Sequence, residues 1–305
     1  AQNVWELFIL RALMGFVSGF ISASGALQAT QTPKEYAGRA LGTLQAGAVA
    51  GNLIGPLVGG VLADSIGIRQ VFFLTGFLQM IAGIVVIIFV KEKFTPDIHT
   101  SQISSGEFLR KMAATRIVIP LFFVTFLTQV AYLTIEPIVT IYVRELAPQS
   151  HHITILAGAA FAAIGLGTML SAPRLGKLGD RWKAENVLLL SLIVAAVLYL
   201  PQAFVHAVWE LIALRFVLGL AVGGLRSPTQ SLIRQFTPSA LQGRAFGFNS
   251  SFLFAGNLVG PLLGGLISSI WGIRSIFFIT SAILLLNTLW MYFSVIRRPV
   301  VPQES

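Results

Sequence analysis

A chain of 305 residues that is 55% hydrophobic and only 11% charged, with a mean hydropathy of +0.80, carries more apolar surface than a soluble domain can bury. It is therefore a polytopic membrane protein. Its net charge of +9 reads as topology and not as a nucleic-acid footprint, because cytoplasmic loops collect Lys and Arg. The absence of cysteine excludes disulfides and thiolate metal sites.

Apolar runs long enough to cross about 30 Å of hydrocarbon fall, in chain order, at 4 to 29, 40 to 63, 69 to 90, 117 to 145, 153 to 173, 186 to 205, 209 to 233, 245 to 268 and 274 to 296. Nine spanning helices are predicted, and the alternating pattern of a β-barrel is missing. If the spans alternate in direction, one side receives Lys34 and Arg39, the five basic residues from Lys91 to Arg116, the four from Arg174 to Lys183, Arg234, Arg244, Arg297 and Arg298. The other side receives Arg69, Arg144 and Arg274. The first side is thus expected to be cytoplasmic, in a multi-pass protein of the cell (inner) membrane, with the loops near residues 34, 91 to 116, 177 and 239 and the C-terminus inside. The opening residues lack a signal peptide's charged start and cleavage site.

The chain repeats itself. VWELFILRALMGFVSG at 4 to 19 matches VWELIALRFVLGLAVG at 208 to 223, AGNLIGPLVGG at 50 to 60 matches AGNLVGPLLGG at 255 to 265, and GIRQVFFLT at 67 to 75 matches GIRSIFFIT at 272 to 280. Three helices are duplicated in the same orientation, as in transporters built from two halves related by an axis along the membrane normal. Three spans precede the second trio and none the first. The expected organisation is an all-α bundle holding nine of twelve helices: residues 1–92 as the remainder of an N-terminal half, 93–115 as a cytoplasmic linker with one short surface helix near 105 to 114, and 116–305 as a C-terminal half. Alone, such a fragment is expected not to transport.

Gly51, Gly55 and Gly59, with Gly60 beside them, recur on one helix face and open a groove for a neighbouring backbone. Pro56 leaves a helix carbonyl without its usual donor and should bend the span. Gly256, Gly260, Pro261 and Gly264 repeat the arrangement. Thr125, Gln129, Tyr132, Glu136 and Thr140 are spaced by three or four residues, which places them on one helix stripe. Polar residues inside spans usually face a cavity or a partner helix, so the stripe is either a cavity wall or a polar seam. Glu136 is a carboxylate well inside a span; it is a candidate for carrying a coupling proton, for attracting cations, or for pairing with Arg11 or Arg215. Arg11 and Arg215 are repeat mates about two turns into their spans, with anchoring to carbonyls the plainer reading for Arg215. His151 and His152 lie in an external loop without a third ligand, so no metal site is expected. No Walker loop, catalytic triad or dinucleotide fingerprint occurs, which disfavours ATP-driven transport, enzymatic chemistry and any cofactor.

The motif GNLIGPLVGG resembles the antiporter motif of major facilitator drug:proton antiporters. Arg11 with Gly15 and Gly19 resembles that family's arginine motif, and GKLGDRW at 176 to 182 resembles its cytoplasmic G-x-L-x-D-R loop, although Lys183 stands where glycine is favoured. Together with TPKEYAGRALGTLQAG and SAPRLGKLGDR, the likeness is to MdtG-like multidrug efflux proteins. The resemblance implies proton-coupled, alternating-access export of drug-like molecules, with an antibiotic-resistance role. Arg11 would line the cavity and aid proton transfer, and Gly176, Asp180 and Arg181 would form a cytoplasmic gating loop. Protons, a drug-like substrate and the lipid bilayer are the expected partners, with no nucleic acid; the oligomeric state is open, a monomer being expected. A transporter of sugars or other polar metabolites, and a non-transporting receptor or structural protein, are the alternatives. The cysteine-free background allows a direct topology test: Ser150→Cys should react with an impermeant maleimide from outside intact cells, whereas Ser105→Cys should react only after permeabilisation.

Overall fold

The computed structural model describes residues 3–17, 37–90, 106, 117–238 and 241–297. A helix lies on each of the nine predicted spans: α1 (Val4–Val17), α2 (Ala37–Ile66), α3 (Ile68–Phe89), α4 (Val118–Leu146), α5 (Ile153–Trp182), α6 (Ala184–Gln202), α7 (Val208–Gln235), α8 (Gln242–Trp271) and α9 (Ser275–Met291), the last continuing as a π turn over Tyr292–Ile296. Seven helical segments among the described residues are long and apolar enough to cross a membrane. The short helix expected in the linker lies outside the described residues except at Gly106.

Local signals explain several helix starts. Asn3 and Glu6 bond reciprocally at the head of α1, the Asn3 Oδ1 accepting the Glu6 N–H at 2.8 Å and the Asn3 amide donating to Glu6 Oε1 at 3.0 Å. Glu210, the repeat mate of Glu6, accepts the N–H groups of His206 and Ala207 at 2.9 and 3.4 Å. In the first copy Asn3 satisfies an orphan backbone donor and its amide is held by Glu6, whereas in the second the Glu210 carboxylate itself accepts the orphan donors. Lys183 takes a left-handed φ of 70° between α5 and α6. This corrects one expectation: Gly176, Asp180 and Arg181 belong to the last turns of α5 and not to a loop, because helical hydrogen bonding runs on to Trp182 and the chain breaks only at Lys183.

The contacts divide the chain into two units, Ala1–Gly51 with Phe72–Thr100, and Asn52–Val71 with Ser101–Ser305. In the first, α3 has no buried residue among those described. In the second, α5 packs on α7, α4 on α8, α6 on α7, and α9 on both α4 and α6. The core between them contains Leu121, Phe122, Tyr142, Leu188, Leu192, Leu218 and Phe277. Polar side chains tie helix to helix within it. The Tyr142 hydroxyl donates to Gln202 O at 2.9 Å, Ser281 donates to Ala196 O at 2.7 Å, and the Asn287 amide donates to Val124 O and Thr128 Oγ1 at 3.1 and 3.0 Å. With no water in the bilayer core, such bonds and close packing replace the hydrophobic effect between helices.

Small residues set the closest crossings. Gly167 and Gly219 meet across α5 and α7, a Cβ on Gly167 colliding with the Phe216 carbonyl and one on Gly219 with that of Ile164. On α8, a Cβ on Gly256 would lie 2.8 Å from Gln129 Cβ, one on Gly260 2.8 Å from Leu133 Cβ, and one on Gly264 would collide with the Thr134 carbonyl of α4. Gly265, next in the chain, has no atom within 4 Å of such a Cβ. Gly264→Val should therefore lower the unfolding temperature of the detergent-solubilised protein, by an overpacking penalty of about 1–3 kcal/mol or more, whereas Gly265→Ala should leave it within about 0.5 kcal/mol.

Candidate functional site

The helical stripe on α4 divides between two environments. Near its cytoplasmic end as predicted, the Thr125 hydroxyl lies 3.1 Å from Leu121 O and 2.7 Å from Asn249 Oδ1 of α8, and Gln129 packs on Gly256. These two residues form a seam between α4 and α8. About two to three turns beyond Gln129, the exposed Glu136 and Thr140 border an open cavity of about 340 Å³ lined also by Pro56, Gly59 and Gly60 of α2 and by Thr154, Ala157, Gly158 and Phe161 of α5. Tyr132, between the two regions, is half-buried. The stripe is thus seam at one end and cavity wall at the other.

The outer wall of the cavity is made by α2 crossing α5 backbone to backbone. A Cβ on Gly158 would stand 2.5 Å from Pro56 O, and one on Gly60 2.7 Å from Thr154 O. Only at Gly60 does the first glycine motif meet another helix this way; Gly51, Gly55 and Gly59 have nothing within 4 Å of a built Cβ among the described residues. The repeated motif therefore does different work in its two copies, Gly256, Gly260 and Gly264 packing on α4 while Gly60 packs on α5 and Gly59 borders open space. Beside the crossing, the His152 Nδ1 lies 3.6 Å from Asp64 Oδ2, the histidine side chain being 71% exposed.

Arg215 of α7 is 4% exposed. Its guanidinium sits 5.8 Å from the centroid of the Phe161 ring, a cation–π distance, and its Nε has no hydrogen-bond partner. Tyr132, Tyr199 and Glu136 are in electrostatic range, but no direct ion pair joins Arg215 to Glu136 among the described residues. Anchoring of Arg215 by carbonyl hydrogen bonds, the plainer sequence expectation, is not what the geometry shows: the side chain lies along an aromatic face. Arg11 is exposed on α1, in the other unit. Gly19 and the side chain of Asp180 lie outside the described residues; Arg181 is exposed, and a Cβ on Gly176 would lie 3.3 Å from Ser227 Oγ of α7.

Sequence reasoning missed Phe161, Gly158, Thr154, Asn249 and the Asp64–His152 pair. The small-residue run AGAAFAAIG at 157 to 165 was a legible sign of close approach, and its single aromatic the marker of a lining position. Nothing local marks Asp64 and His152 as partners.

A sequence model of the Major Facilitator Superfamily matches residues 1–147 and 121–305, and the chain belongs to that superfamily. It is accordingly a multi-pass membrane transporter and not an enzyme. Among relatives, it is 42% identical over 298 residues to the multidrug resistance protein MdtG of Salmonella arizonae, spanning 98% of this chain and 74% of that one; the MdtG proteins of Salmonella typhi and Salmonella typhimurium match to the same extent. A crystal structure of a bacterial homologue of the human lysosomal transporter Spinster, inward-facing and unoccupied, superposes with a TM-score of 0.70 at 12% identity, covering 89% of this chain and 73% of that one, and so shares the fold.

The site geometry makes the α2–α5 crossing the structural element at the rim of the cavity and the contact of Asp64 with the exposed His152 an accessory. Gly158→Val should lower thermal stability by about 1–3 kcal/mol or more, while Asp64→Asn should change it by no more than about 1 kcal/mol, since its partner His152 is solvent-exposed; a fluorescence-detected unfolding series in detergent compares them.

Proposed function

We propose that this transporter exports amphipathic, drug-like molecules in exchange for protons, the two halves alternating access to a central cavity. The observation that carries the reading is one ionisable side chain, Glu136, in a membrane-embedded cavity otherwise lined by Phe161, Thr140, Thr154 and small or apolar residues. An apolar wall with few hydrogen-bonding groups suits an amphiphile better than a sugar, whose hydroxyls need several paired partners. The 42% identity to proteins named for multidrug resistance supports the same substrate class.

In this scheme Glu136 takes up the proton on one side and releases it on the other, and binding of substrate in the cavity competes with its protonation. Tyr132 and Thr140 flank the carboxylate, Thr125 and Gln129 hold α4 to α8, and Arg11 biases proton transfer from the N-terminal half. The glycine-proline segment of α2 provides at Gly60 the close-packed surface against which α5 moves, that of α8 holds α8 to α4 within the C-terminal half, and Arg181 with Asp180 latches the cytoplasmic end. The protein works in the cytoplasmic membrane with its linker and C-terminus inside, as a monomer, and confers resistance to antibiotics by export.

Proteoliposomes of the full-length protein with an imposed pH gradient test this. Glu136→Gln should abolish substrate-stimulated proton flux and lower gradient-driven efflux by at least tenfold while leaving the protein folded. Undiminished pH-dependent efflux in that variant overturns the role of Glu136.

A further inference from the structure

The charge of the preferred ligand follows from how Glu136 is balanced, an inference that rests on the exporter reading above. Glu136 is the ionisable residue of the cavity lining, and Arg215 is the charged group acting on it among the described residues. The two are joined through Phe161, whose ring lines the cavity beside Glu136 and carries the Arg215 guanidinium 5.8 Å from its centroid. Arg215 is 4% exposed and its Nε is unpartnered. An isolated cation inside a bilayer protein is strongly disfavoured, and among the described residues the carboxylate in electrostatic range to offset it is Glu136. Tyr132 and Tyr199 contribute only neutral dipoles.

Among the described residues, the Glu136 carboxylate and the Arg215 guanidinium behind Phe161 thus offset one another before a ligand arrives. A cationic ligand drawn to the exposed Glu136 meets the field of the buried Arg215 from behind Phe161 and leaves the wall with a net positive charge. A neutral amphiphile avoids that penalty: its apolar body lies on Phe161, Ala157 and Pro56, and its N–H or O–H donates to the Glu136 carboxylate. We infer that the cavity selects electroneutral amphiphiles with a hydrogen-bond donor over permanent cations, and that Arg215, acting through Phe161 and Glu136, is the residue that sets this rule. Protonation of Glu136 removes the acceptor such a ligand uses, which links the rule to the proposed exchange.

A matched fluorescent pair tests it: the dansyl amide of neohexylamine, which is neutral with one N–H donor, and its trimethylammonium isostere. Binding to the full-length protein in nanodiscs should favour the neutral probe by about tenfold or more, the scale of one unit-charge repulsion at protein dielectric. Arg215→Gln should improve binding of the cation by about tenfold with less than about threefold effect on the neutral probe, and Arg215→Lys should keep the wild-type preference. A wild-type protein that binds the cation more tightly, with proton-coupled efflux intact, overturns the charge rule and leaves the exporter reading standing; this arm needs no variant to fold. An Arg215→Gln protein in which both probes weaken equally also overturns it, reducing Arg215 to a packing residue. Absence of binding and of probe-stimulated proton flux with both probes removes the exporter reading and this inference together.

Discussion

Close backbone approach at glycine is the constraint on which the rest of the bundle depends. Helices in hydrocarbon gain little from burying one apolar face against another, since lipid is as apolar as leucine, so association rests on how many atoms come into contact. The crossings at Gly167 and Gly219, at Gly256, Gly260 and Gly264, and at Gly158 and Gly60 leave no room for a Cβ. Each brings two helix backbones together, and the larger core residues fill the space on either side. The polar bonds from Tyr142, Ser281 and Asn287 then choose among the registers that packing alone would permit.

The same constraint shapes the cavity. Where α2 meets α5 the glycines bring the chains together at Gly60 and Gly158, and just beyond, at Gly59, the surface opens because no side chain fills it. A helix face stripped of side chains is therefore both a contact and a void, depending on what lies opposite. Into that void α4 presents Glu136 and Thr140, and α5 presents Phe161 with Arg215 behind it. The site is a product of packing: its carboxylate stands exposed at the opening beside the α2–α5 crossing.

Much of this was legible early. The lengths of the apolar runs, the asymmetry of basic residues and the duplicated trio of helices pointed to the fold, and the spacing of Thr125, Gln129, Tyr132, Glu136 and Thr140 pointed to α4 as a polar helix. Two expectations differ from the structure. GKLGDRW is helical because nothing interrupts its hydrogen bonding before Lys183, a stop that glycine content alone does not reveal. Arg215 lies along Phe161 in place of carbonyl anchors, since the ring that receives it is 54 residues away in sequence, a separation read from its number.

What the amino-acid sequence determined by itself was everything governed by local periodicity and by the membrane as solvent: the number and extent of the helices, their duplication, and which residues share a face. Tertiary structure alone decided what each face meets. One glycine motif packs on α4 while its twin borders a cavity, and one polar stripe is split between a seam at Thr125 and an open wall at Glu136. The physical reason is that helical geometry orients a side chain relative to its own axis only, whereas the neighbour that covers it arrives from a distant part of the chain through the packing of the whole bundle.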